Sequence, residues 1–286
     1  MASPYIDDAF ITAFNSELHL NYEQGDSHFR GLCRTDGEVI GETLRFQKLG
    51  GLSMTDKARY GEVPLSLLSH THADASMVAK YARVAIQQLD LSLLNTNVRS
   101  GYAKKMANAA NRRIDDQIIA AMDSGGATNT IGTYAAGITR AIALEIRETF
   151  DTNDVPDDGM RFCAITPRAF STMMTVDEFK NADYVGGSDL PYATGSSHGR
   201  KYKKWMDINW FTTNRITGAT TATADCYAWH YEAVGHGIAN DVSADWGWDT
   251  KAQQWDGVTS LQMGAVVIDT AGIYQIHLKD DVAIPT

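Results

Sequence analysis

An α+β fold is predicted by three features of this 286-residue chain. A long helix dominates the first half. Two extended segments around a glycine-rich tip precede it, and most of the remaining strands lie in the second half and close with a hairpin. The helix is the strongest signal. Ser92–Asp123 contains no Pro and a single Gly, Gly101, and is rich in Ala, Leu, Met, Lys and Arg. Its apolar side chains recur at Leu94, Val98, Tyr102, Met106, Ala110, Ile114, Ile118 and Met122. Each step of four residues overshoots a helical turn by roughly 40°, so the stripe winds and meets different neighbours along its length. Asp90 or Ser92 supplies a cap, and Gly125-Gly126 is expected to stop the helix.

The other elements follow in chain order. Residues 1–29 read as an arm with one helical piece around Phe10-Ile11-Thr12-Ala13-Phe14. Phe29–Phe46 reads as extended, with a turn at Asp36-Gly37. The tip is Lys48-Leu49-Gly50-Gly51-Leu52-Ser53, and Arg59–His72 returns as an extended segment in which Pro64 marks an edge. Such a hairpin, with little apolar content near its end, cannot bury itself and needs another surface. Ser76–Ile86 reads as a strand, although periodicity leaves a helix open. A helix is expected over Ala135–Phe150, then an acidic turn, Asp151–Gly159. Arg161–Ile165 is a buried strand, and Thr166-Pro167 opens a short helix through Met174, a Thr cap with Pro in the first turn. Residues 181–204 read as loop. Strands are expected at Trp205–Thr213 and Cys226–Val234, a hairpin pairs Val242–Trp248 with Trp255–Met263 around Thr250–Gln253, and Ala265–Asp269 and Ile273–Leu278 end the chain.

Composition narrows the function. Apolar residues make up 44% and charged residues 21%, so the chain is globular rather than disordered. No apolar run approaches the roughly 18–20 residues of a membrane helix, and the start, Met1–Asp8, lacks the basic and apolar parts of a signal peptide. Three widely spaced cysteines, Cys33, Cys163 and Cys226, argue for a reducing compartment and against a disulfide framework. A net charge of −10 makes a poor duplex binder.

Four clusters invite chemistry, and each has a plainer reading. Gly195-Ser196-Ser197-His198-Gly199 matches a nucleophile elbow, but no strand precedes it and no helix follows. His70-Thr71-His72 lacks a third metal ligand, so a solvated or interface pair is favoured. Asp151, Asn153, Asp154, Asp157 and Asp158 lack the glycine and bidentate glutamate of a calcium loop and read as an acidic surface turn. Arg200-Lys201-Tyr202-Lys203-Lys204 reads as a solvated or subunit-contact cluster rather than a nucleic-acid patch. Trp246, Trp248 and Trp255 read as core or contact residues. Neither catalytic residues nor a metal or cofactor site is assigned.

The order of elements resembles the major capsid proteins of tailed bacteriophages, the Hong Kong 97-type fold. The phrases that carry the resemblance are Lys57–Leu65, Arg112–Ile119, Arg161–Thr172 with Phe179–Tyr184, and Ala228–Gly235 with Leu261–Val266. The resemblance implies an N-terminal arm (1–29), an extended loop lying over a neighbouring subunit (30–72), and a peripheral domain with the spine helix (73–125). It also implies an axial domain (126–237), a peripheral-domain hairpin (238–267) and a C-terminal axial strand (268–286). On this reading Arg45, Lys48, Gly50, Gly51, Lys57 and Arg59 belong to the loop tip at a subunit interface. Arg112, Arg113, Ile114, Asp115, Asp116 and Ile118 belong to the spine, and Arg200, Lys201, Lys203 and Lys204 to an axial loop. The implied function is non-enzymatic: self-assembly through hexamers and pentamers into the icosahedral head around double-stranded DNA that is contacted weakly. The implied partners are further copies of the chain, a separate scaffolding protein, a portal and a decoration protein, with no membrane. The implied location is the virion, assembled in the host bacterial cytoplasm. An encapsulin-like compartment shell, or a serine hydrolase centred on Ser197, is the alternative.

Overall fold

The computed structural model describes residues 23–88, 98–126, 129–180 and 203–281. They group into two compact units. The first takes the described residues up to Ser27 together with Met77–Asp115 and Ile238–Met263. The second takes His28–Ser76, Asp116–Gly237 and the described residues from Gly264.

The first unit is built on a three-stranded sheet. Strand β4 (Val78–Gln87) runs antiparallel to β11 (Gln254–Val267), from Val78 opposite Met263 to Gln87 opposite Gln254, and β10 (Val234–Asp249) lies on the far side of β11. The ambiguity at residues 76–86 therefore resolves to strand. The β10–β11 hairpin turns where expected, with the Asp249 carboxylate accepting the Lys251 and Ala252 amides at 2.9 and 3.3 Å. Gly257 leaves room for the Trp246 indole, since a Cβ there would sit 2.8 Å from the ring. The Trp248 and Trp255 rings lie 5.3 Å apart.

The long helix, α1 (Val98–Gly126), is 29 residues, or about 43 Å at 1.5 Å per residue. Met106, Ala110, Ile114, Ile118 and Met122 are all buried, as the four-residue stripe requires. The cap residues Asp90 and Ser92 lie outside the described residues. Gly125 sits inside the helix rather than beyond it. A Cβ there would meet Val267 at 2.4 Å, so this glycine permits close approach as well as termination at Gly126.

The second unit holds a six-stranded mixed sheet in the order β5-β12-β9-β6-β8-β7. The strands are β5 (Thr130–Gly132), β6 (Arg161–Ile165), β7 (Lys203–Trp205), β8 (Ile208–Thr212), β9 (Ala224–His230) and β12 (Ile273–Leu278). All five residues of β6 are buried, as are Trp210 and Phe211 on β8, Trp229 on β9 and Tyr274 on β12. Phe29 stacks on Trp229 with ring centroids 5.4 Å apart. Helix α2 (Arg140–Thr152) buries Ile142, Ala143, Ile146 and Phe150. It starts five residues later than the sequence suggested, because Thr139 takes the cap and accepts the Ile142 amide. Helix α3 (Pro167–Met173) follows Thr166 as expected, and a short α4 (Asp177–Lys180) comes after it. The single strand expected over Trp205–Thr213 is two, split by Met206 and Asp207 at φ 51° and 61°. Two successive left-handed residues make a tight hairpin turn, and neither is the glycine or asparagine that signals one.

The acidic turn after α2 wraps a buried cation. Arg161, only 2% exposed, donates Nη1 to Asp151 at 2.8 Å, Nη2 to the Val155 carbonyl at 2.5 Å and Nε to the Pro156 carbonyl at 3.1 Å. Asp158 accepts the Met160 amide at 2.9 Å and lies 3.1 Å from His230 Nε2. The turn read from sequence as a solvated surface is thus partly structural. The cysteines are buried, and burial pushes the Cys226 thiol up to about 12, which keeps it protonated and inert.

Candidate functional site

The extended loop is rooted in the second unit by a separate sheet of three strands, β1 (Glu38–Ile40), β2 (Thr43–Leu49) and β3 (His70–Ser76), in that order. The first turn is not at Asp36-Gly37. It falls after Ile40, where Gly41 supplies a φ of 61°. Gly37 is used differently: a Cβ there would lie 2.7 Å from the Phe46 ring. Leu44 and Phe46 point inward from β2 and are buried, and they press on bare backbone. Cβ atoms added at Gly235 and Gly237 would stand 2.5 Å from Phe46 and 2.6 Å from Leu44.

The two strands of the neck pair from Thr43 opposite Ser76 to Leu49 opposite His70. One further contact closes it: the Gly50 amide donates to the Ser69 carbonyl at 2.8 Å. Arg45 grips Asp74 across the ladder through two bonds of 2.8 Å, and that guanidinium holds the Asp74 carboxyl below its ordinary range. Lys48 Nζ reaches Asp269 at 2.8 Å. Arg45 and Lys48, grouped with the tip on sequence, thus sit in the neck and have partners there.

Beyond the neck, residues 51–69 hold no helix or strand, only a turn at 59–61 closed by the Gly61 amide on the Ala58 carbonyl at 3.0 Å. The strand expected over Arg59–His72 therefore begins only at His70. Every residue from 51 to 69 is exposed. Leu52, Met54, Tyr60, Val63, Leu65 and Leu67 are between 63% and 102% exposed. This corrects the expectation of a hairpin poor in apolar residues: the loop is rich in them and buries none. Scattered exposed apolar side chains are ordinary, but six large ones on one short unsupported segment are not. Gly51, Lys57 and Arg59 lie on this segment, with the Arg59 guanidinium 5.7 Å from the Tyr60 ring centre.

The helix residues singled out from sequence divide into two kinds. Ile114 and Ile118 are fully buried. The polar ones are tethers. In the first unit Arg112 pairs with Glu23, which also receives Lys105 at 3.0 Å and Asn108 at 3.1 Å. Those donors, Arg112 foremost, hold the Glu23 carboxyl down to about 2. Asp115 is fully buried and accepts Ser27 Oγ at 2.5 Å and the Gln24 side chain. In the second unit Asp116 takes Arg215 in a bidentate grip, with Nε at 2.9 Å. Arg113 is exposed. Nothing in the stripe separates a buried Asp115 from a solvated one, so this tethering was invisible in the sequence.

The remaining clusters form no reaction centre among the described residues. Ser197 and its flanking residues, with Arg200 and Lys201, lie outside the described residues. Lys203 and Lys204 open β7, opposite Trp210 and Asn209. His70 and His72 are alternate residues of one exposed strand, and His72 Nε2 lies 3.6 Å from Asp74. Among the described residues no group of three or more His, Cys, Asp and Glu side chains converges on a point that could hold a metal. A cavity of about 430 Å³ opens beside Lys48 and Asp269, lined also by Arg34, Asp154, His230 and Glu232. No described helix is long and apolar enough to cross a membrane.

A family model described as phage capsid protein matches residues 6–280. Among solved structures, the capsid structure of the cyanophage P-SCSP1u superposes with a TM-score of 0.73 at 18% identity, covering 96% of this chain and 94% of that one. A chain from Mycobacterium phage Che8 gives 0.71 at 15% identity, covering 91% and 94%. The capsid asymmetric unit of the cyanophage Pam1 gives 0.69 at 12% identity, covering 99% and 100%. No curated protein matches the sequence.

Proposed function

The chain belongs to the phage capsid protein family, and on that premise we propose how this major capsid protein builds its shell. It is a structural subunit of the virion, not an enzyme, and the α+β fold of the Hong Kong 97 type read from its sequence stands. Capsid proteins assemble into multimeric shells; here the assembly runs through hexamers and pentamers to an icosahedral head around double-stranded DNA. The observation that carries the contact mechanism is the segment 51–69, with its large apolar side chains in water and no core of its own. Those side chains gain their burial on a neighbouring copy, and that burial drives association.

The remaining parts take their roles from the same reading. Residues 1–29 are the arm, 30–72 the extended loop, 73–125 and 238–267 the peripheral domain, and 126–237 with 268–286 the axial domain. Two findings support this division: Met77–Asp115 groups with Ile238–Met263, and the tethers on Arg112 and Asp115 hold the arm's end at Glu23, Gln24 and Ser27. Lys203 and Lys204 stand at the edge of the axial loop. The net charge of −10 keeps contact with packaged DNA weak. Scaffolding, portal and decoration proteins act with the subunit, and assembly takes place in the host bacterial cytoplasm. Sedimentation and negative-stain microscopy of the purified protein test the reading. Closed shells with five- and six-fold capsomers are expected. A population made only of small, dispersed particles at high concentration overturns it.

A further inference from the structure

We infer that the cavity at the root of the extended loop binds a short linear polyamine, with its ammonium groups on carboxylates and its methylenes on apolar side chains of the lining. The whole lining belongs to the second unit, so binding there requires no second copy of the chain.

The walls come from the end of β2, the turn after α2 and the residues around Glu232 and Asp269. A volume of about 430 Å³ falls within the range of small-molecule sites. Arg34 and Lys48 are the cations of the lining, and both are taken. Arg34 Nη2 donates to Asp36 at 2.8 Å, and Lys48 Nζ meets Asp269 at 2.8 Å. His230 accepts the Glu232 amide on Nδ1 at 3.3 Å, so its hydrogen sits on Nε2, 3.1 Å from Asp158, and this imidazole adds no charge. Asp154 and Glu232 are exposed carboxylates that form no ion pair among the described residues. Glu232 only adds to the field on Arg34, whose direct partner is Asp36.

The balance of charge selects a cation and refuses an anion, because the cations of the lining are already paired. A bare metal ion is not the fit. It needs ligands that converge on one point, and no three His, Cys, Asp or Glu side chains do so among the described residues. The carboxylates come instead from separate places: Asp154 from the turn after α2, Glu232 from the turn after β9, and Asp269 from the stretch between β11 and β12. The same lining holds Val155, Pro156, Ala233 and Ile268, of which Val155 and Ala233 are buried and therefore fixed. A linear polyamine carries the matching pattern, separate charges joined by methylenes. One ammonium on one solvated carboxylate gains little. Once the first is held, the chain presents the second at high local concentration, and affinity follows from engaging both.

Equilibrium dialysis of labelled spermidine against dilute, unassembled full-length subunits tests this. One saturable site per subunit is expected. Asp154→Asn and Glu232→Gln should each weaken it by about fivefold or more, the loss of one charge contact. Asp154 stands at φ 53°, a conformation Asn also tolerates, so that variant removes the charge and keeps the turn. Asp157→Asn, at an exposed acid of the same turn outside the lining, should change binding by less than about twofold. Methylamine, with a single ammonium, should bind about 100-fold more weakly than spermidine. Absence of a saturable site, an equal loss from Asp157→Asn, or displacement of spermidine by magnesium at equal concentration overturns the assignment, since each marks diffuse attraction to an acidic surface.

Discussion

Leu65→Asp isolates assembly from folding. Leu65 is 86% exposed in the subunit and touches no core, so its replacement leaves the monomer's packing alone. The proposed contact buries this side chain on a neighbour in the shell, and full burial of a leucine is worth about 2 kcal/mol. Each subunit donates one loop and receives one, so the loss per subunit is one contact. Ten-fold in an equilibrium constant corresponds to about 1.4 kcal/mol, so the critical concentration for shell formation should rise by roughly 30-fold. The carboxylate adds a desolvation penalty in the same direction, so this is a lower bound. Light scattering against subunit concentration measures the threshold, and the melting temperature of unassembled subunits serves as the control. An unchanged threshold, or a threshold that rises only in step with a lowered melting temperature, refutes the reasoning.

Other perturbations test the frame that carries the loop. Ile114→Asp or Ile118→Asp places an unpaired charge at a fully buried position, at a cost of about 3–5 kcal/mol, and should abolish soluble expression; normal yield and melting contradict the spine assignment. Gly235→Ala sets a Cβ 2.5 Å from the buried Phe46 ring and should destabilise the subunit by about 1–3 kcal/mol, read as a lowered urea midpoint. Glu23 titrates near 2 when folded and near 4.5 otherwise, so its tether is complete above about pH 4.5 and is lost as pH falls toward 2. Glu23→Gln should therefore flatten the fall in stability across that window, followed by urea midpoints against pH.

The parts of this fold that could be read from sequence are those where one signal acts alone. The stripe through Met106, Ile114, Ile118 and Met122 fixed the long helix, because helical period and burial agree there. The buried run Arg161–Ile165 placed β6 to the residue, and the Thr166-Pro167 cap placed the start of α3. The failures come where a local signal had a different use. Asp36-Gly37 looks like a turn, but Gly37 makes room for Phe46 and the chain reverses at Gly41. Met206 and Asp207 form a left-handed turn without glycine or asparagine. Asp115 and Arg161 are polar residues whose burial depends on partners distant in sequence, at Ser27 for one and at the 151–156 turn for the other. The apolar character of the segment after Gly50 differs from the expectation. Alternating Val63, Leu65 and Leu67 look like a strand inside a hairpin, and only the coordinates reveal that nothing in the same chain covers them.

Replacing Leu52–Leu67 with a short glycine–serine link removes the exposed apolar segment and leaves the β2–β3 neck and its Gly50–Ser69 contact in place. Negative-stain microscopy of that protein, at concentrations where the parent chain forms shells, is the most direct measurement. A folded subunit with the parent's circular dichroism and no closed shells is predicted. Closed shells of normal size from the shortened chain would contradict the account.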